Sequence, residues 1–185
     1  MQNHRTTKDW YGEVFTPDIL VQELLNSLPK QVWKNPHLQW LDPCAGTGFF
    51  FEAVMQRLMQ SLSDELPNKL TRKRHIIKQM LFMYELNPHN VRELRLKFGM
   101  NANIAEKNFL EDKDQTMYDV VVANPPFQSP KTHTYEGSAG NRTLWDKFVV
   151  HALHKCVHKG FLAFITPSNW RRPEHTLYPL LTGNN

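Results

Sequence analysis

The sequence predicts an α/β fold with a mostly parallel sheet, on three observations. Short aliphatic and aromatic runs at 38–41, 80–84, 118–123 and 161–165 have the length and flanks of buried strands. Between them lie segments with apolar residues at helical spacing, so strand and helix alternate as a parallel sheet with covering helices requires. Two strands run directly into turns of unusual composition, Asp42 to Gly48 and Asn124 to Phe127. At 185 residues the chain supports one domain, residues 1–185, with a sizeable hydrophobic core.

Taken in order, residues 1–13 are polar and irregular. Thr16 is placed to cap a helix with Pro17 at its first position, and Ile19, Leu20, Leu24, Leu25 and Leu28 line one broad face before Pro29. Residues 32–36 connect to a first strand at 38–42. Phe50, Phe51, Val54, Leu58 and Leu62 predict a helix over 49–62, and 63–69 is a polar loop. The second strand covers 79–84 and ends at Glu85. After Asn87-Pro88, the residues Val91, Leu94, Leu96 and Phe98 predict a helix that stops at Gly99. A third strand falls at 102–105 and a fourth at 118–123. Residues 129–141 carry Pro, Gly, Ser and Thr with little apolar content and read as a mobile loop. A helix over 144–156 turns Leu144, Phe148, Val149, Ala152 and Leu153 inward, Gly160 ends the link, and the fifth strand is 161–166.

The tetrad Asn124-Pro125-Pro126-Phe127 stands at the end of the fourth strand. Two prolines fix two φ angles and remove two backbone donors, and the first also restricts Asn124 to extended geometry. An amide side chain and free carbonyls are thereby held rigidly beside an aromatic ring. Such a site accepts hydrogen bonds from a planar amino group and stacks on the ring that carries it, which describes a grip on a nucleobase. Earlier, Asp42-Pro43-Cys44-Ala45-Gly46-Thr47-Gly48 joins a strand to an apolar helix start. Glycines there let the backbone approach a ligand, or serve only to make the turn. The pattern is not the Gly-x-Gly-x-x-Gly of dinucleotide folds and lacks the Lys-Ser/Thr of a phosphate loop. A ligand with a cationic amino-acid end and an adenosine end suits it better than a triphosphate.

Together the two motifs resemble the N6-adenine-specific DNA methyltransferases, with the cofactor motif ahead of Asn-Pro-Pro-Phe as in type I and type IIG restriction-modification methylases. The resemblance runs from about Gly12 to Arg172. It implies a Rossmann-like class I methyltransferase fold, three layers α/β/α, and methyl transfer from S-adenosylmethionine to the N6 amino group of adenine in double-stranded DNA. It implies catalytic roles for Asn124, Pro125, Pro126 and Phe127, the last stacking on an extruded adenine. It also implies a cofactor site from Phe15, Thr16, Pro17, Asp42, Ala45, Gly46, Gly48, Glu85, Asn108 and Phe109. Glu85 is matched to the acidic residue that accepts from the ribose hydroxyls, or else is a surface carboxylate. Thr16 and Pro17 meet the cofactor carboxylate or only cap a helix, and Phe109 meets the cofactor adenine or belongs to the core. Where the family places Asp before Phe, this chain has Asn108, which predicts weaker cofactor binding.

The class I sheet continues beyond a fifth strand, and residues 173–185 are too few to supply two strands and a crossover helix. The chain then reads as a fragment, a split subunit whose target-recognition domain sits on another chain, or a shortened relative. Two other functions fit the same motifs: methylation of protein glutamine or RNA adenine, and a non-catalytic binding or assembly module. The formal charge of +4 favours an anionic partner, with basic residues grouped at Lys69, Arg72, Lys73, Arg74, His75 and Lys78 and at Arg171-Arg172. Residues 69–78 are otherwise a solvated connection. Two cysteines imply no disulfide framework and point to a reduced, cytoplasmic protein. No stretch approaches the length of a membrane span. The histidines show no metal-ligand spacing, and no metal is expected; His151, His154 and His158 share helical spacing on a polar outer face.

Overall fold

The computed structural model describes residues 16–128 and 143–183. Five strands, β1 (Trp40–Asp42), β2 (Leu81–Glu85), β3 (Asn103–Glu106), β4 (Tyr118–Ala123) and β5 (Cys156–Phe164), form one sheet in the order β3-β2-β1-β4-β5. Every pairing is parallel. The order reverses at β1, so the carboxyl ends of β1 and β4 flank the switch point where α/β sheets open a crevice for ligands. The helices are α1 (Asp18–Ser27), α2 (Phe49–Ser61), α3 (Lys69–His75), α4 (Pro88–Phe98), α5 (Trp145–Lys155) and α6 (Leu177–Thr182).

Successive strand residues point to opposite faces, and both faces are covered. Trp40, Met83, Val120 and Val122 pack with Val21 and Leu25 of α1, Phe51, Val54 and Leu58 of α2, and Val91, Leu94 and Phe98 of α4. On the reverse face Leu41, Tyr84, Tyr118 and Val121 pack with Phe109 and with Phe148 and Ala152 of α5. Burial on both sides is why the central strands read as continuous apolar runs rather than alternating ones.

Several expectations are corrected. Pro17 is the N-cap residue of α1 with an extended backbone, so the helix starts one residue later than predicted and Thr16 makes no cap. The face of α1 that meets the core is Val21, Leu25 and Leu28, while Ile19 and Leu20 are exposed. The stretch before β2 is no open connection. Asn68 accepts from the Thr71 amide and starts α3, which runs into a single π turn, Ile76–Met80, whose apolar residues are buried. Within it Arg72 is buried and donates to the Leu66 and Pro67 carbonyls, and His75 Nε2 lies 2.7 Å from the Pro36 carbonyl. Two of the six grouped basic side chains therefore serve the fold. The chain passes from α5 straight into β5, which begins at Cys156 opposite Tyr118. A register shift beside Asp119 absorbs the extra residues, so Gly160 lies inside the strand, and His158 is a strand residue that shares no helix with His151. The segment 129–141 lies outside the described residues.

At the start of α2, Gly48 has φ of +84°, and a Cβ there would lie 2.6 Å from Leu94 Cδ2 and 2.8 Å from Phe98 Cε2. The glycine lets α4 pack against the turn. Gly48→Ala is expected to lower stability by roughly 2–4 kcal/mol, from overpacking and left-handed backbone strain together, measured as a lower urea midpoint. An unchanged midpoint would show that α4 shifts freely.

Candidate active site

Asp42, Ala45, Gly46, Gly48, Glu85 and the Asn124–Phe127 tetrad lie at the carboxyl ends of β1, β2 and β4. Asp42 ends β1 at 2% exposure, and its Oδ1 accepts from the Cys44 amide at 3.1 Å. Glu85 ends β2, also buried. Its Oε2 accepts from the Gly46 amide at 2.7 Å and its Oε1 from the Asn87 amide at 2.7 Å. The carboxylate thus ties the turn after β1 to the turn after β2, and the Ala45 amide donating to the Tyr84 carbonyl at 3.0 Å adds a second tie. Gly46 adopts φ of +54° with no atom within 4 Å of where a Cβ would stand. Two buried carboxyl groups thus lie beside an open glycine turn. Burial, and then the Glu85 charge, push the Asp42 carboxyl up to about 7 against the opposing pull of the Cys44 amide. The Cys44 thiol is raised by burial and the same two acids, and is not a nucleophile at neutral pH.

At the end of β4, Asn124 Nδ2 donates to Thr16 Oγ1 at 2.8 Å, joining residues 108 positions apart. This bond, rather than a helix cap, is the role the fold gives Thr16. Among the described residues Asn124 Oδ1 is a buried acceptor without a hydrogen-bond partner. Leaving such a group unpaired costs about 1–3 kcal/mol, so the unpaired oxygen calls for a physical explanation. Pro125 is buried and Pro126 half-buried. Phe127 packs partly against the apolar cluster of Trp145, Val149 and Leu177, and its carbonyl accepts from the Leu144 amide at 3.1 Å. Gln128 and Thr143 then pair as an antiparallel bridge. Pro17 lies beside this end at the start of α1. Phe15 is outside the described residues.

Asn108 and Phe109 follow β3. Asn108 Oδ1 accepts from the Leu110 amide at 3.2 Å and its Nδ2 donates to Glu111, so the side chain caps the short 3-10 turn Phe109–Glu111. Phe109 is 2% exposed, packed against Tyr84, Phe148 and, edge-on at 4.6 Å, His151. It is a core residue on the reverse face of the sheet. His151 is accordingly not on a polar outer face, and burial and the nearby Lys155 charge hold its pKa below the ordinary value.

An ionic cluster absent from the sequence reading fixes this segment. Lys155 is buried and lies 2.7 Å from Asp112 Oδ2 and 3.4 Å from Asp114 Oδ1, while Lys107 lies 3.0 Å from Asp112 Oδ1 and 3.9 Å from the centre of the Tyr84 ring. Burial works to raise the Asp112 carboxyl, but hydrogen bonds from Lys155 and Lys107 hold it below its ordinary value. One signal was present in the sequence: Lys155 continues the buried stripe of Phe148 and Ala152 at helical spacing, and a lysine there needs an anionic partner.

The raised Asp42 value carries a stability consequence. A group whose folded pKa lies above its unfolded value favours the fold below the unfolded value and loses that contribution as pH rises through the folded one. For Asp42 the window runs from about pH 4 to about pH 7. Asp42→Asn, keeping an acceptor for the Cys44 amide, is expected to be more stable than the parent at pH 8 by on the order of 3 kcal/mol. Near pH 4 it is expected to show no advantage. Denaturant titrations at the two pH values test this, and equal stability at pH 8 would show that the carboxylate is well solvated.

The family model described as Eco57I restriction-modification methylase matches residues 31–179. An uncharacterized adenine-specific methylase of Mycoplasma pneumoniae is 42% identical over 73 residues, covering 38% of this chain and 17% of that protein. The type II methyltransferase M.BstVI of Geobacillus stearothermophilus is 28% identical, covering 84% of this chain and 33% of that protein. The chain spans a third or less of the length of these relatives. Among solved structures, the M protein of the type I restriction enzyme EcoKI superposes with a TM-score of 0.62 at 21% identity, over 85% of this chain and 35% of the other. The five-stranded parallel sheet with its helices is thus the class I methyltransferase fold that the motifs implied. The chain belongs to the Eco57I restriction-modification methylase family.

Proposed function

We propose that this chain is the catalytic portion of an adenine-specific DNA methyltransferase that transfers a methyl group from S-adenosylmethionine to adenine N6. The observation that carries this reading is Asn124 Oδ1, a buried acceptor left unpaired at a proline-stiffened strand end while its Nδ2 is anchored to Thr16. An exocyclic aromatic amine is a poor nucleophile because its lone pair is delocalised into the ring. Oδ1 and the Pro125 carbonyl would accept its two hydrogens and favour a tetrahedral nitrogen, placing negative charge where positive charge develops. Phe127, held by Val149 and Trp145 on one side, would offer its remaining surface to an extruded base.

The cofactor's chemistry fits the residues at the glycine turn. S-adenosylmethionine, when bound, supplies an electrophilic methyl group on a cationic sulfur. Asp42, raised to about 7 by burial and by Glu85, is an acid whose charge a cationic ligand would stabilise. Gly46 leaves open space above the turn, and Glu85 and Ala45 hold that turn in place. We assign Glu85 to the ribose side, through whatever acceptor capacity its two amide bonds leave, and Asn108 to the adenine side. Phe109, buried in the core beside it, would support Asn108 rather than meet the ligand. Sequence recognition, and the energy of extruding a base, we assign to a further segment or a second chain. The M.BstVI relative is about three times the length covered here. We assign the protein to the cytoplasm as part of the same reading. Among the described residues no helix is long and apolar enough to cross a membrane.

Asn124→Ala is expected to lower methyl transfer about a hundredfold or more, as measured for loss of one well-placed polar partner elsewhere. Its affinity for S-adenosylmethionine by calorimetry should stay near the parent value. The assay uses the full-length protein with adenine-containing duplex DNA, RNA and a glutamine peptide side by side. Parent rates in the variant would remove Asn124 from the mechanism, and transfer to peptide or RNA alone would replace the proposed substrate. Glu85→Gln keeps an oxygen for one backbone amide and loses the charge. It is expected to weaken S-adenosylmethionine binding about tenfold or more, in line with about 1.5–3 kcal/mol for charged hydrogen bonds. Unchanged affinity in a folded variant would reduce Glu85 to a tie between two turns.

A further inference from the structure

At the amino ends of β2 and β3, opposite the candidate active site, a groove of about 270 Å³ opens between α3 with its π turn and the turn that joins α4 to β3. Ile77, Phe98 and Ala102, all buried, form an apolar floor. Leu70 and Met100 stand beside it at 78% and 72% exposure. Lys73, Arg74 and Lys78 line the same groove. Among the described residues these three cations make no ion pair, and no carboxylate lines the groove. Two large apolar side chains exposed among three cations, around an apolar floor, are not what a solvated face requires.

We propose that this groove is a docking surface for an acidic segment of a protein partner that inserts an apolar side chain between Leu70 and Met100. Charge complementarity selects the occupant. A duplex offers negative charge but no aliphatic group to cover Leu70 and Met100, since its backbone is met by polar and cationic side chains. The groove also lies at the far end of the strands from Asn124, so DNA seated at the reactive end does not run over it. A second copy of this chain pairing through the same patch would bring six like charges together. An acidic segment with an apolar residue satisfies both halves of the surface at once. Lys73, Arg74 and Lys78 would steer it, and burial of Leu70 and Met100 would hold it. The proposal concerns a surface that methyl transfer does not use, and its failure would leave that reading untouched.

The test is a fluorescence anisotropy titration of the full chain with a fluorescein-labelled peptide of Glu-Glu-Leu repeats. Peptides of Ser-Ser-Leu and Glu-Glu-Ser repeats and a short labelled DNA duplex run alongside. Two double variants change exposed positions only, Leu70→Ser with Met100→Ser and Lys73→Glu with Lys78→Glu, and circular dichroism checks that each is folded. The expected result is saturable binding of the Glu-Glu-Leu peptide, weakened about tenfold or more by either double variant and not matched by either control peptide. Absence of binding by the parent chain overturns the proposal, as does full affinity in either folded variant. Duplex affinity that falls with charge reversal but not with loss of Leu70 and Met100, while peptide binding is indifferent to both, would make the groove a phosphate surface instead.

Discussion

The Glu85 carboxylate is the constraint on which the carboxyl end of this sheet depends. It is buried at the end of β2, and its two oxygens accept from the Gly46 and Asn87 amides, one in each of the two turns that leave the central strands. A parallel sheet gathers such turns at one edge but does not by itself hold them in register with one another. A carboxylate with two amide donors does, because each charge-assisted bond is stronger than a neutral one and both turns must move together to break it. The cost falls on Asp42, whose carboxyl sits in the same desolvated space and is driven to about 7. Stability given up at a cluster of like charges is a recurring mark of sites shaped for a ligand of opposite sign.

The Asn124 side of the candidate site is held by a different device. Asn124 is stiffened from the chain side by two prolines and from the far side by Thr16, whose position is set by α1 packing over α2 through Val21 and Leu25. The amide is therefore oriented by elements 108 positions apart in the chain. Under the proposed function, an acceptor placed this way would lose little freedom on meeting a substrate amine, which is the condition for electrostatic preorganisation. The buried Lys155 cluster does comparable work behind Asn108. It anchors the β3–β4 connection to the last turn of α5, so the segment that carries Asn108 and Phe109 is fastened to the helix beneath it by Asp112 and Asp114. Removing one partner would leave a buried charge uncompensated.

The two ends of the sheet differ in kind. At the carboxyl ends stand two buried carboxylates and an unpaired amide oxygen. At the amino ends stand cations and exposed aliphatic side chains. Basic residues that read in sequence as one cluster divide on folding. Arg72 and His75 bond to backbone carbonyls and stabilise the turn, while Lys73, Arg74 and Lys78 face the groove. Charge counted along the chain is thus a poor guide to where an anionic partner would sit, because α3 and the π turn after it sort neighbouring residues onto different faces.

The sequence by itself determined the strand at Tyr118–Ala123, the helix of Phe50, Phe51, Val54 and Leu58, the stop at Gly99, and the motifs that place Asp42, Glu85 and Asn124 at strand ends. These are local matters: apolar periodicity, a left-handed glycine and a fixed proline φ act within a few residues and are written there. Tertiary structure decided the rest. Thr16 and Asn124 are 108 positions apart, and no pattern in either neighbourhood announces their bond. Phe109 reads in sequence as a ligand contact or a core residue, and only the packing of Tyr84, Phe148 and His151 around it made it core. The extension of β5 back to Cys156 depends on a partner strand offering Tyr118 and on a bulge beside Asp119, since strand length is set by pairing and not by the apolar run alone.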